Sequence, residues 1–422
     1  MDYLARVEGE TSLTIRFRKN QPANVELRIF EPPRFFEGFL RGRSCVEAPD
    51  ITSRICGICP VAYQMSACAA VEDALGVEVG PEIDALRRLM YAGEWIESHA
   101  LHVFLLHAPD FLGYPSGLAM AKDHPDPVRA GLRIKKAGNS IVRALGGREI
   151  HPINVKLGGF HRAPSRRELG ELLPELEWSR EHARKSLEWM AGFSFPVLDR
   201  DYELVALTGD DYYPLMGGRI ASNKGLDLAV SEYDSFFVEE QVERSTALHS
   251  TIRGRGAYLC GALARINLGI DRLSPAAAEA ARAIGFSVPC KNPFKSLLAR
   301  MLEIIHSLDT ALSIISAYVP PRAASVPVTM RAGTGYGATE APRGLLYHRY
   351  QVSDDGTIEH SKIVPPTSQN QKSIEDDLLE LAPRLARMPH SEATALAEHT
   401  VRNHDPCISC STHFLKLDVL HE

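Results

Sequence analysis

The chain contains no apolar run approaching the roughly 18 residues that a membrane-crossing helix needs, so no helical span is expected. It has no basic cluster and carries a net charge of −6, which argues against a nucleic-acid surface. Its opening residues, Met1-Asp2-Tyr3-Leu4-Ala5-Arg6-Val7-Glu8, lack the apolar segment of a secretory signal, and the expected location is the cytoplasm. Cysteine is sparse, with eight in 422 residues. That is no disulfide scaffold, and in the cytoplasm these thiols are expected to be reduced. Internal repeats, low-complexity segments and long linkers are also missing. What is present is a globular balance, 45% apolar and 24% charged, with ample material for a core.

Periodicity gives the organisation. Leu13, Ile15 and Phe17 alternate with polar residues, as do Val25, Leu27 and Ile29, which predicts a hairpin over 11–30 turning at Lys19-Asn20-Gln21-Pro22. A loop carrying Glu37 follows. Helical pattern then covers 61–75, 82–107, 128–145 and 167–190, with Gly146-Gly147 as a helix stop. The stretch 197–225 reads as strands and loops, and helices are expected again over 230–316. Their clearest stripe is Leu297, Met301, Ile304, Leu308, Leu312 and Ile315. Gly333-Thr334-Gly335-Tyr336-Gly337 lacks the strand and lysine of a phosphate loop and is expected to be a tight loop approached closely by other backbone. A hairpin over 345–364 turns at Ser353-Asp354-Asp355-Gly356. Short helices near 374–388 and 391–402 lead to the C-terminal region. The expected fold is α+β and predominantly α: one unit, 1–422, with a large helical core over 61–190 and 230–316 and small peripheral antiparallel sheets.

Chemistry concentrates at two Cys-x-x-Cys pairs about 350 residues apart: Cys56-Gly57-Ile58-Cys59 and Cys407-Ile408-Ser409-Cys410. Each pair can present two sulfurs to one ion, and four thiolates in a tetrahedral array suit structural zinc or an iron–sulfur site. A chain with this much core has little need of a stabilising zinc. Arg54 beside Cys56 is expected to favour thiolate. Asp405 and His413 flank the second pair, and a carboxylate and an imidazole point towards chemistry. Cys45, Cys68, Cys260 and Cys290 read as small buried hydrophobes. His99 and His102 share a helix face, more in keeping with a core or supporting role than with metal ligation.

Arg54-Ile55-Cys56-Gly57-Ile58-Cys59 and Asp405-Pro406-Cys407-Ile408-Ser409-Cys410-Ser411-Thr412-His413 resemble the first and last signatures of nickel–iron hydrogenase large subunits. Arg6-Val7-Glu8-Gly9, Gly147-Arg148-Glu149-Ile150-His151-Pro152 and Glu340-Ala341-Pro342-Arg343-Gly344 resemble three further family motifs, in order. The resemblance spans residues 6–413. It implies a Ni–Fe centre whose iron carries carbon monoxide and cyanide, with Cys56 and Cys407 terminal on nickel and Cys59 and Cys410 bridging. It implies reversible heterolytic cleavage of H2, with Cys407 accepting a proton, Glu8 relaying it, Arg343 lying over the metals and Asp405 fixing Arg343. Pro365, Pro366, Thr367 and Ser368 resemble the segment that holds cyanide. Glu37 and His413, with backbone near Lys362–Val364, match the family's Mg2+ ligands.

Two positions depart from many uptake relatives: Tyr63 replaces a His, with Gln64 after it, and Ser98 replaces an Asp. The Pro60–Gln64 version resembles the cytoplasmic, pyridine-nucleotide-linked branch. That implies an iron–sulfur small subunit, since this chain lacks cysteines for electron-transfer clusters, and flavin- and NAD(P)-binding diaphorase subunits. It also implies a maturation endopeptidase that cleaves between His413 and Phe414. A hydrogen sensor built on the same site and a structural four-cysteine zinc protein are the competing readings.

Overall fold

A computed structural model describes residues 4–18, 21–209 and 212–412. Helices form its centre. Pro81–Ala100 packs against both Pro125–Gly146 and Ser296–Ala317, and the last also packs on Leu173–Ala191. The stripe Leu297, Met301, Ile304, Leu308, Leu312 and Ile315 is buried throughout. Pro60, Pro81 and Pro125 each open a helix, where a missing N–H costs nothing. Nearly every residue of Pro60–Leu75 is buried, so that helix runs through the interior rather than along a surface. Its one buried carboxylate, Glu72, is paired with Arg87 at 2.6 Å.

The sheets are small, and every strand pair in them is antiparallel. Thr11–Arg18 pairs with Gln21–Ile29 as expected. The expected 345–364 hairpin is two strands of a three-stranded sheet, Gly333–Ala341, Gly344–Val352 and Ile358–Val364. The fold is thus α+β and mostly α, as the sequence indicated.

Several local expectations are corrected. The glycine run 333–337 is strand, not loop, though the close approach is real. A Cβ on Gly335 would stand 2.0 Å from the Ala70 carbonyl oxygen and 2.3 Å from the Ala74 nitrogen, so glycine lets this strand lie on the Pro60–Leu75 helix. Within the expected helical stretch 230–316, Phe237–Gln241 and Leu248–Ile252 form a hairpin. The long helix at 82–107 is α-helical to Ala100 and continues as a π-helical turn, Leu101–His107. Glu37 lies on a short helix, Phe36–Leu40, rather than in a loop. The helix expected at 374–388 begins earlier, at Pro366.

Candidate metal centre

The two cysteine pairs are presented by similar local devices. Cys59 caps the Pro60–Leu75 helix, and Cys407 caps the short helix Ile408–Ser411. In each, the chain leaves one helix, turns and enters another, so both sulfurs of a pair project from one bend. Asp405 takes a left-handed φ of 49° just before Cys407, a conformation Asp tolerates better than most residues. The bends meet. Cys56 Sγ lies 3.6 Å from Cys407 Sγ, Cys59 Sγ lies 3.6 Å from Cys410 Sγ, and Cys407 and Cys410 are 2.7 Å apart. All four are buried and none is in a disulfide.

Three segments lock the bends together. Arg34 donates from Nη2 to the Ile55 carbonyl at 2.6 Å and to the Ser409 carbonyl, stapling one pair to the other. Glu8 forms a backbone bridge to Cys407, with Ile408 N–H donating to its carbonyl at 2.9 Å. Gly9 follows with φ of 85° and no room for a side chain, since a Cβ would stand 2.6 Å from Ile408 Cβ. Thr367 Oγ1 accepts the Cys407 N–H at 3.0 Å.

Polar groups close on the sulfurs from two sides. Cys407 Sγ donates to Glu8 Oε2 at 3.1 Å, and Ser409 N–H donates to the same oxygen at 3.0 Å. Arg343 Nε donates to the Asp405 carbonyl at 2.7 Å and Nη2 to Asp405 Oδ1 at 3.2 Å. Arg343 Nη1 and Asp405 Oδ2 are buried and hydrogen-bond to no described residue. Contacts with Cys407, Cys410 and Cys59, then the charge of Arg343, hold the Cys56 thiol well below its usual range. Burial, then the three neighbouring sulfurs, pushes Cys407 well above it. One guanidinium cannot neutralise four thiolates, so full ionisation of this cluster calls for a cation. Cys56, Cys407 and Cys410 lie within 4.8 Å of one another, as metal ligands do.

Residues 34–128 and 258–413, more than half of the chain, match the family model described as nickel-dependent hydrogenase. The chain belongs to that family. Among its relatives, sulfhydrogenase 1 subunit alpha of Pyrococcus furiosus is 34% identical over 99% of this chain and 98% of its own. The NAD-reducing hydrogenase HoxS subunit beta of Cupriavidus necator is 26% identical over 98% and 94%. A solved NAD+-reducing [NiFe]-hydrogenase, in its H2-reduced state, superposes with a TM-score of 0.88 at 29% identity, covering 98% of both chains. The protein is thus a nickel-dependent hydrogenase large subunit, an oxidoreductase acting on hydrogen.

Around this cysteine cluster the remaining sequence-derived residues are placed as follows. Glu37 Oε1 accepts the Ile363 N–H at 2.7 Å, and Ser361 Oγ donates to the Glu37 carbonyl at 3.0 Å. Burial pushes the Glu37 carboxyl up to about 8. Arg34 N–H donates to the Thr412 carbonyl at 2.6 Å, which brings the chain before His413 beside the segment before Glu37. His413 itself and the expected cleavage point lie outside the described residues. Pro365 and Pro366 open the Pro366–Leu385 helix beside the Arg343 turn, with Pro366 Cβ 3.1 Å from where a Cβ on Gly344 would stand. His99 lies 2.8 Å from Glu303, and His102 bonds the Arg402 carbonyl at 2.8 Å, so both serve the interior. Tyr63 and Ser98 are buried with hydroxyls that bond no described residue.

Arg54 does not act on Cys56. It lies at the surface, paired with Asp50 at 3.0 Å, because the helix Ala48–Ser53 ends with that side chain facing outward. The nearby cation is Arg343. Sequence reasoning also missed Arg34 as a staple, although it stands in the same short stretch as Glu37, and it gave no role to Arg265 or Glu303.

Proposed function

We propose that this chain is the catalytic subunit of a nickel–iron hydrogenase that cleaves and forms H2 reversibly, passing electrons through an iron–sulfur small subunit to NAD(P). The observation that carries the reading is the meeting of four buried cysteine sulfurs between one carboxylate and one guanidinium. The donor set fits the group: soft thiolates suit nickel and iron, and the buried Arg343 Nη1, which bonds no described residue, is a donor that a cyanide of the centre would satisfy. Cys56, Cys59, Cys407 and Cys410 would hold the nickel and iron. When bound, the centre supplies polarisation and heterolytic splitting of H2.

The chain's own residues handle the proton and the charge. Cys407 Sγ takes a proton and is already within hydrogen-bond reach of Glu8 Oε2, which passes it outward. Arg343, held by Asp405, supplies a fixed positive charge in a water-poor site and remains protonated throughout. The Pro365–Thr367 turn lines the same side. Glu37, backbone oxygen near Lys362–Val364 and His413 form the proposed Mg2+ site, an oxygen-rich set with one imidazole. The proposed acceptor draws support from the NAD-reducing relatives at similar length. No described helix is long and apolar enough to cross a membrane, in keeping with a cytoplasmic enzyme. A maturation endopeptidase would trim the chain after His413.

Infrared spectroscopy of the purified complex tests this. Carbon monoxide and cyanide stretches are expected, with one nickel per large subunit and iron in excess of nickel because the small subunit carries iron–sulfur clusters. Zinc in place of both metals would sink the reading.

A further inference from the structure

The turn that carries Arg343 is gripped from behind. Ala341 pairs with Gly344, so Pro342-Arg343 is a two-residue hairpin turn. Arg265, on the helix Ala262–Gly269, lies behind it with its side chain wholly buried. All five of its N–H donors are engaged. Nε and Nη2 take the two oxygens of Glu303, each at 2.7 Å. Nη1 takes Glu340 Oε2 and the Ala341 carbonyl, and Nη2 takes the Pro342 carbonyl, each at 3.0 Å. Three of the five bonds therefore end on the three residues that precede Arg343.

The grip is itself held. Trp95 lies under the Arg265 guanidinium at 4.3 Å and donates from Nε1 to the Glu340 carbonyl at 2.8 Å. Glu340 Oε1 accepts the Leu207 N–H at 2.7 Å, and Tyr213 donates to Glu303 at 2.8 Å. Two carboxylates and a guanidinium out of water are costly to bury, and well-packed apolar residues would serve stability as well. Such a network gives geometry instead. Only a guanidinium offers five coplanar donors, so lysine cannot hold two carboxylates and two carbonyls in one plane.

We propose that Arg265, oriented by Glu303, is the positioning residue for Arg343: it fixes the turn from which the Arg343 guanidinium reaches the thiolate cluster. The proposal rests on the reading of Arg343 as the cation beside the nickel–iron centre. Asp405 sets the far end of the Arg343 side chain, and Arg265 sets where its backbone begins.

The test is Arg265→Lys in the full complex, beside the metal-free full chain. Nickel and iron content should stay at the wild-type level. The cyanide stretches should shift or broaden, and kcat should fall by up to about 100-fold with KM for H2 little changed, as expected for a displacement near 1 Å. In the metal-free chain, amide hydrogen exchange over residues 340–346 should quicken by about tenfold while the Ser296–Ala317 helix keeps its protection. Wild-type cyanide bands and kcat in a folded variant overturn the proposal, as does exchange that quickens equally everywhere. If the lysine variant does not accumulate as folded protein, Glu303→Gln is read by the same measures, and wild-type behaviour there is equally fatal. Lack of nickel and iron in the wild-type complex would sink the functional reading instead, and the exchange measurement would still decide the clamp.

Discussion

Glu8 and Arg343 approach the cysteine cluster from flanks built in opposite ways. Glu8 stands where the N-terminal segment bridges to the C-terminal one, half-buried, with exposed Gly9 next to it. Its Oε2 serves Cys407 and Ser409 together. Arg343 stands on an interior hairpin, with its side chain and that of Asp405 each 3% exposed. The difference suits the roles proposed for them. A group that exports a proton has to reach water and tolerate two protonation states. A group that supplies a constant charge gains from a low dielectric and from being unable to move. The same four sulfurs thus sit between a labile side and a fixed side.

Three substitutions separate the flanks, in falling order of effect. Cys59→Ala removes one of the four clustered sulfurs. Nickel content and H2 activity should both fall to background, and a loaded, active variant would break the comparison outright. Glu8→Gln keeps the Ser409 bond but removes the base, so turnover should fall by about 10³-fold with metal content and cyanide stretches unchanged. Arg343→Lys keeps the charge but loses the forked grip on Asp405, so turnover should fall by about 10²-fold with the stretches displaced. The contrast lies in the spectra: equal displacement in both variants would mean that the flanks are not functionally distinct.

The labile flank was largely legible in the sequence, and the fixed flank only in part. Glu8, Cys56, Cys59, Cys407 and Cys410 each stand in a short signature, because each cysteine pair is presented by one bend and Glu8 by its own backbone neighbours. Arg343 and Asp405 were legible for the same reason. Arg265 was not, since its partners lie 38 and 75 residues away, on elements that meet only in the folded core. Arg54 was misleading because adjacency in sequence says nothing about which way a helix end faces. Gly335 shows the converse. Glycine is a poor strand former, yet the strand exists because the Ala70 and Ala74 backbone lies too close for any Cβ. The hairpin Phe237–Gln241 with Leu248–Ile252 was hidden by Glu239, Glu240 and Gln241, ordinary helix formers whose strand state depends on pairing.

Acid should also loosen the interior packed behind the N-terminal segment that carries Glu8, and this is the smallest of the expected effects. Asp405 follows the helix His390–Arg402, whose His399 is buried against the rings of Phe111 and Phe294 at 4.4 and 4.7 Å between centroids. Its Nε2 hydrogen-bonds to no described residue. Burial lowers the imidazole to about 4, against an ordinary value near 6.5. Between those values the unfolded chain binds a proton that the folded chain does not, so stability is complete above the window and declines as pH falls through it. From pH 7 to pH 5 this one group withdraws about 2 kcal/mol. His102 and His107, lowered in the same way by burial, act in the same direction. His399→Leu should be less stable than wild type at pH 7, through imperfect packing, but should lose less between pH 7 and pH 5. Denaturant titrations of the full chain at the two pH values measure this. An unchanged difference would mean that the imidazole takes up its proton equally in the folded and unfolded chain, and that its surroundings are wetter than its ring contacts indicate.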